Sequence, residues 1–515
     1  MRIGTCIKAG AFACAAVVLA AQVAAEERRM SPLRVKGPTD GNGVTALTFD
    51  ADAYEALRGA ESFVLTQVPL TDRRLVNVEA RRVEAFTEDA VVVVGGAGGE
   101  SAVERPDVIV LSGSVVGAPE SHVTLGFSAH GCNGIIELDG QMHLVSAGPV
   151  GGTGPVVYNF TTLPQGVIDW VPFQCGSDLL AHPPRAPQTR GTGGSAPAGD
   201  PPCRVVNVAI ETDYEYTRDI FGGDTNAAAA YATTLVAAVG ETTLRDLNVH
   251  LKIAYLRTWS ANNDPYTANN SWDRFFEYQD HWNANMRHIV RDNVHMFSAL
   301  RDGQIGGLAY LPGVCQTDYD YAYSSYLNGF FPYPLQDHHD QNWDVFVVGH
   351  EEGHNLGAPH THDHNPPIDG CGLGDCNDAF GGTYMSYCHG CSGGMTNIVL
   401  AYHDRTIHEA ILPYLGDAPC NLEDDPPCTG GVDCDRISEL NVTCRQGRFK
   451  LKAVVKSTLA EGTTLTLTRD GSDSQAVSIN SRGKARAVWK NVAGGGHDVC
   501  IDECPALCGS ASCNP

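Results

Sequence analysis

The sequence predicts a multidomain chain: a β-rich leading segment, a central α/β domain and a small β-sandwich-like module at the C-terminus. Three observations predict this. The chain has 515 residues, more than one ordinary hydrophobic core absorbs. Its periodicity changes twice, from short alternating runs to strands interleaved with helical stretches and back again. Between the first two regimes lies Ala181 to Pro202, a stretch rich in Pro, Gly, Ser and Thr that cannot bury a core.

The first 25 residues read as an export signal: Arg2 and Lys8 supply positive charge, Ala9 to Ala21 is apolar and small, and Val23-Ala24-Ala25 offers a cleavage site. From residue 26 to 180, short runs such as Ser62 to Val68, Ala90 to Val94, Val108 to Leu111, His122 to Leu125 and Ile135 to Leu138 are punctuated by Gly and Pro, which predicts strands. Residues 181–202 then form a linker that is easily cut when exposed. In the central domain, 203–416, Val205 to Thr212, Leu251 to Leu256 and Val294 to Ser298 read as strands. Asp224 is a good N-cap for an Ala-rich helix with apolar positions at Ala228, Tyr231, Leu235 and Val239, and Trp272 to Asn285 is a second helix. Gly306 to Gly313 holds a further short strand. In the last region, 417–515, Phe449 and Leu451 alternate with lysines, Leu465 and Leu467 with threonines, and Asp470-Gly471 suits a hairpin turn, giving a Cys-rich β module.

Composition excludes some functions. A formal charge of −25 argues against a nucleic-acid partner, which would need clustered Lys and Arg to displace counterions. After the signal, no run approaches the ~20 apolar residues that span a bilayer, so a secreted chain without a membrane span is expected. Beyond Cys6 and Cys14, two cysteines precede residue 200 (Cys132 and Cys175) and fourteen follow it. This even number suits a disulfide framework in an oxidising compartment. A zinc ribbon through Cys388-His389-Gly390-Cys391 or through the Cys-rich tail is the competing reading.

The chemistry concentrates in His350-Glu351-Glu352-Gly353-His354-Asn355-Leu356-Gly357-Ala358-Pro359-His360. Histidines four apart on a helix project from one face, so His350 and His354 can reach one ion. Gly357 can take a left-handed conformation, ending the helix and letting His360 turn back as a third ligand. Three histidines with an open fourth position make a catalytic Zn2+ site. Zinc would lower the pKa of water toward about 7, and Glu351 is placed to take that proton as general base. Glu352 falls on another helix face and reads as a surface group or a support for a ligand.

This motif, with Met385 following in Gly381-Gly382-Thr383-Tyr384-Met385-Ser386-Tyr387, matches the long zinc signature with its methionine turn. Residues from about 203 to 416 therefore resemble a metzincin catalytic domain, closest to the reprolysin or adamalysin branch, whose wording His-Asn-Leu-Gly appears here. The resemblance implies a two-lobed α/β catalytic domain, Met385 beneath the histidines, and Gly307, Leu308, Ala309 and Tyr310 as an edge strand that pairs with a protein or peptide substrate. It also allows a structural Ca2+ ion. Two features depart from the branch: Thr361 and His362 separate His360 from Asp363, and Tyr387 is similar to the tyrosine of astacin-like and serralysin-like relatives that ligates zinc or stabilises the oxyanion. The alternative for Tyr387 is packing, and for His362, His364 and His389 it is a loop without metal.

Pro172-Phe173-Gln174-Cys175-Gly176 resembles the cysteine-switch segment of metzincin prodomains, and Gly131 to Leu138 the core of reprolysin-type propeptides. Residues 26–180 would then be a prodomain in which the Cys175 thiolate fills the open zinc position; the competing reading is a Cys132–Cys175 disulfide. The function implied is a secreted zinc endopeptidase made as a latent zymogen. The alternatives are an adhesion or binding protein with a vestigial metalloprotease domain, against which the retained Glu351 speaks, and a zinc amidase with a non-peptide substrate.

Overall fold

The computed structural model describes residues 29–30, 32–58, 62–149, 154–163, 175–183, 203–302, 305–332, 343–422, 434–445, 449–459, 463–471, 473–480, 482–501 and 504–513. The expected export signal, Pro172 to Gln174 and most of the expected linker lie outside them. The N-terminal part forms a ten-stranded sheet, antiparallel apart from one end pair. Its end strand Leu33–Val35 comes back beside Ser62–Pro69, so the sheet curls around Leu47, Leu65, Leu111, Leu125, Phe127 and Ile136. These side chains come from alternating positions, as a sheet with one buried face requires.

The central domain is a twisted layer of parallel strands, Tyr321–Ser324, Asn293–Phe297, Arg204–Thr212 and Val249–Trp259, with Gly307–Ala309 antiparallel at one edge. The long helix Thr225–Leu247 crosses it, capped by Asp224, whose carboxylate accepts from the backbone N–H of Asn226 and Ala227. The helix Ser271–Asn285 starts from an Asn270 cap.

The opposite edge of this sheet is built from the 26–180 region. Phe86–Gly96, which contains the predicted strand Ala90 to Val94, leaves the N-terminal sheet and pairs in parallel with Val249–Trp259; Gly99–Val103 adds the outermost strand. The apolar run Ala90 to Val94 identifies a strand but carries no information about which sheet will accept it.

The C-terminal strands form a three-stranded and a four-stranded sheet over one core that includes Leu451, Leu465, Leu467, Trp489 and Val499. Disulfides Cys434–Cys504, Cys444–Cys513 and Cys500–Cys508 staple them. Among the described residues no helix is long and apolar enough to cross a membrane.

Candidate metal centre and latch

The helix Asp344–Asn355 carries the histidine pair. Val345, Phe346, Val347 and Val348 are buried and fix its inner face. Two glycines let the rest of the site approach closely. A Cβ on Gly349 would overlap the Tyr384 ring, lying 2.6 Å from its Cζ, and one on Gly353 would lie 2.5 Å from Met385 Sδ and 2.9 Å from the Tyr402 ring. Any larger side chain at residue 353 would push the methionine turn off the helix. Gly357 takes φ +100°, as the turn toward His360 demands.

The three imidazoles converge. Ring centroids of His350, His354 and His360 are 4.8, 5.2 and 4.6 Å apart pairwise, and His354 Nε2 lies 3.1 Å from His360 Nε2. Backbone carbonyls orient two of the rings: Tyr384 O meets His350 Nδ1 at 2.6 Å, and Ala358 O meets His354 Nδ1 at 2.8 Å. With Nδ1 donating, each Nε2 keeps its lone pair for a metal. Burial and the neighbouring imidazoles hold His350 and His354 well below the ordinary histidine range, so both are neutral, as ligands must be.

Cys175 supplies a fourth donor. Its Sγ lies 3.4 Å from His354 Nε2, and the ligand atoms of Cys175, His350, His354 and His360 all fall within 4.8 Å of one another. Zn–N distances of about 2.0–2.1 Å and a Zn–S distance of about 2.3 Å fit a set of that size, so the donors suit zinc. Cys132 and Cys175 are both free thiols, which excludes the disulfide alternative. Cys388 and Cys391 pair with Cys371 and Cys376 respectively, which excludes the zinc ribbon and ties down the loop bearing Met385 and Tyr387.

Glu351 is fully buried, and burial pushes its carboxyl up to about 8. Its Oε2 lies 3.4 Å from Ser177 Oγ and 3.9 Å from Cys175 Sγ. Tyr387 places its hydroxyl 3.2 Å from His360 Nε2, the face turned toward the other imidazoles. Met385 is buried beneath them, and its carbonyl accepts from the N–H of Thr361, anchoring the segment that carries His360. His360 Nδ1 faces two carboxylates, Asp178 at 3.2 Å and Asp363 at 3.5 Å, so Asp363 reaches the ring despite the two-residue insertion.

Glu352 is not a surface group. It is buried and receives the amide of Asn293 at 2.8 Å and faces His295 Nδ1 at 2.8 Å, with Ser324 on the far ring nitrogen, locking the motif helix to the centre of the sheet. No local sequence signal shows this, because His295 lies 57 residues away. His364 is held by Glu409 and Thr406, and His389 packs on Phe346. His362 stacks on His360 at 5.2 Å.

Gly307–Ala309 is an edge strand, and its outer hydrogen-bonding side is already covered. Gly176 N donates to Gly307 O at 2.9 Å, Ala309 N donates to Ser177 Oγ at 2.9 Å, and Leu311 N meets His182 Nδ1 at 3.1 Å. Cys175 bridges Gly307 in a parallel sense. Residues 175–182 thus run along this backbone edge and set the Cys175 thiol beside the three histidines. Sequence reasoning found Cys175 but missed Ser177, Asp178 and His182, which belong to no motif.

Residues 203–399 match the model of metallo-peptidase family M12, reprolysin type. Among solved structures, the chain is similar to metalloproteinase-II from Bacteroides fragilis, at 10% identity over 62% of this chain and 88% of that one, with a TM-score of 0.35.

Proposed function

We propose that this protein, whose residues 203–399 match the model of metallo-peptidase family M12, is a zinc-dependent endopeptidase, exported as a latent precursor, that hydrolyses peptide bonds of extracellular proteins. The observation that carries the reading is the convergence of three buried imidazoles, a thiol and a buried carboxylate on one point. His350, His354 and His360 would hold the ion. Zinc bound there supplies Lewis acidity, polarising a scissile carbonyl and making water acidic enough to deprotonate near neutral pH. Glu351 takes the proton of the attacking water and returns it to the leaving amine, a task suited to a carboxyl raised toward neutrality by burial. Tyr387 directs its hydroxyl at the developing oxyanion. Gly307 to Tyr310 hold an extended substrate by backbone pairing, and Met385 supports the ligand cluster from below.

In the precursor, 26–180 is the prodomain and Cys175 occupies the position needed for water. Asp178 grips His360, and Ser177 with His182 takes the backbone edge meant for substrate. Cutting within 181–202 frees one end of this latch. The signal 1–25 would direct export, and 417–515 would be an appended module. Disulfides throughout the described central and C-terminal parts are consistent with an extracellular protein. Hydrolysis of casein by the activated protein, with and without a chelator and beside Glu351→Gln, tests the reading. Chelator-sensitive hydrolysis that Glu351→Gln abolishes while keeping zinc supports it; hydrolysis indifferent to both overturns it.

A further inference from the structure

The helix Thr225–Leu247 is buried on nearly every side although it belongs to a surface layer of the central domain; Ala227 to Gly240 are all buried. One face rests on the central sheet, with Leu251 against Gly240. The other is covered by the N-terminal sheet. Gly126 of that sheet comes so close that a Cβ there would lie 2.8 Å from Thr234 Oγ1. Ala237 packs with Ala85 and Val110, Glu241 accepts from Ser112 and faces Arg81 at 3.7 Å, and Arg245 pairs with Glu137 at 3.2 Å.

Elsewhere the two parts share one core. Ile135, Leu144, Val156 and Tyr158 belong to the same cluster as Val206, Leu235, Phe346 and Met385, and the Phe160 ring sits 4.6 Å from the Trp343 ring. The hairpin 86–103 completes the central sheet, Val91 to Gly95 lying in register with Tyr255 to Trp259, and Glu100 reaches the buried Arg257. Without the N-terminal part, an apolar helix face and the unpaired edge of Val249–Trp259 would meet water, the kind of surface that folded chains keep covered. The latch, by contrast, is a short segment held by polar contacts of Cys175, Gly176, Ser177, Asp178 and His182 and by one buried apolar side chain, Leu180, in a cluster with Leu308 and Tyr310.

We propose that residues 29–163 are a permanent partner of the 203–422 domain: cleavage in the linker releases the latch, and the active particle is a two-chain complex that keeps its N-terminal sheet. The proposal takes from the zymogen reading only the place of the cut; the association itself does not depend on catalysis. Cys132 and Cys175 are free thiols, so they tie the fragments by no covalent bond.

The test inserts the recognition sequence of a specific protease between residues 184 and 202 of full-length Glu351→Gln, so that self-digestion plays no part. After cutting, the protein is passed through gel filtration with light scattering, and fractions are run on denaturing gels. The expected result is a single peak with the mass of the uncut chain containing both fragments; two separate peaks overturn the proposal. Gly126→Leu in the same background is expected to separate the fragments at a lower urea concentration, and an unchanged midpoint counts against the contact surface. In the Glu351 protein cut the same way, peptidase activity is expected to coincide with both fragments. Activity found only in fractions lacking the N-terminal fragment overturns the proposal while leaving the peptidase reading intact.

Discussion

Gly307→Ala puts the placement of Glu351 to a direct test. The substitution adds one methyl group on the edge strand, and the new Cβ would lie 2.6 Å from Glu351 Cδ and 2.7 Å from Cγ, where ordinary contact begins at 3.4 Å. The carboxyl must therefore move by about 0.8 Å, because it is the side chain that can rotate while the strand is held on Tyr321–Ser324. Misplacing a reacting group by about 1 Å costs on the order of 10²-fold in rate, equal to about 2.7 kcal/mol of transition-state stabilisation. The fold should hardly notice. Losing glycine's freedom in the unfolded chain favours the variant by about 0.4–1 kcal/mol, which offsets about a third of the roughly 1–3 kcal/mol that overpacking costs. On activated protein, kcat should fall about 10²-fold, with zinc content unchanged and the melting temperature within a few degrees of the parent. A kcat within threefold of the parent, or a loss of activity accompanied by collapse of the fold, would refute the reasoning.

Other perturbations address the latch and the supports of the site. Cys175→Ala in the uncut precursor should raise peptidase activity well above that of the unaltered precursor; equal, low activity in both would mean that the latch works by covering the cleft alone. Asp178→Asn should raise precursor activity by a smaller factor, since it removes the grip on His360 Nδ1 while leaving the thiol in place; no change would assign His360 to Asp363 in both forms. Glu352→Ala strips Asn293 and His295 of their buried acceptor, and should cost about 1–3 kcal/mol in denaturant unfolding, whereas a neutral effect would show that water replaces the carboxylate. Dialysis against a strong chelator should abolish activity and lower the melting temperature, and added Zn2+ should restore both; stability indifferent to the metal would count against a buried site held by three histidines.

The zinc motif was legible because helical geometry alone sets His350 and His354 on one face, and because Gly357 can be recognised as a stop before His360. The edge strand and the methionine turn came through the family resemblance, and the structure sets both beside the histidines. The helix Thr225–Leu247 was visible from Ala228, Tyr231, Leu235 and Val239, but that stripe accounts for a single buried face; alanines carry too little hydrophobic contrast to announce the second. Ala90 to Val94 read as a strand, yet the partner of the strand Phe86–Gly96 that contains it lies more than 150 residues on, and pairing at that distance leaves no local trace. Tyr321–Ser324 escaped notice because a strand buried on both faces need not alternate. Glu352 stayed undecided between a surface group and a ligand support for a related reason: its acceptor role depends on a histidine that only the folded sheet brings near. Disulfide pairing was unreadable, since fourteen cysteines allow too many partners for spacing to choose among them.

X-ray absorption at the zinc edge, recorded on the uncut precursor and on the cut, active protein, tests most directly whether three imidazoles and the Cys175 thiol share one ion. The precursor should show three nitrogen neighbours at about 2.0–2.1 Å and one sulfur at about 2.3 Å, and in the active protein the sulfur should be replaced by oxygen. A precursor spectrum with no sulfur neighbour, or one with fewer than three imidazoles in either form, would contradict the account.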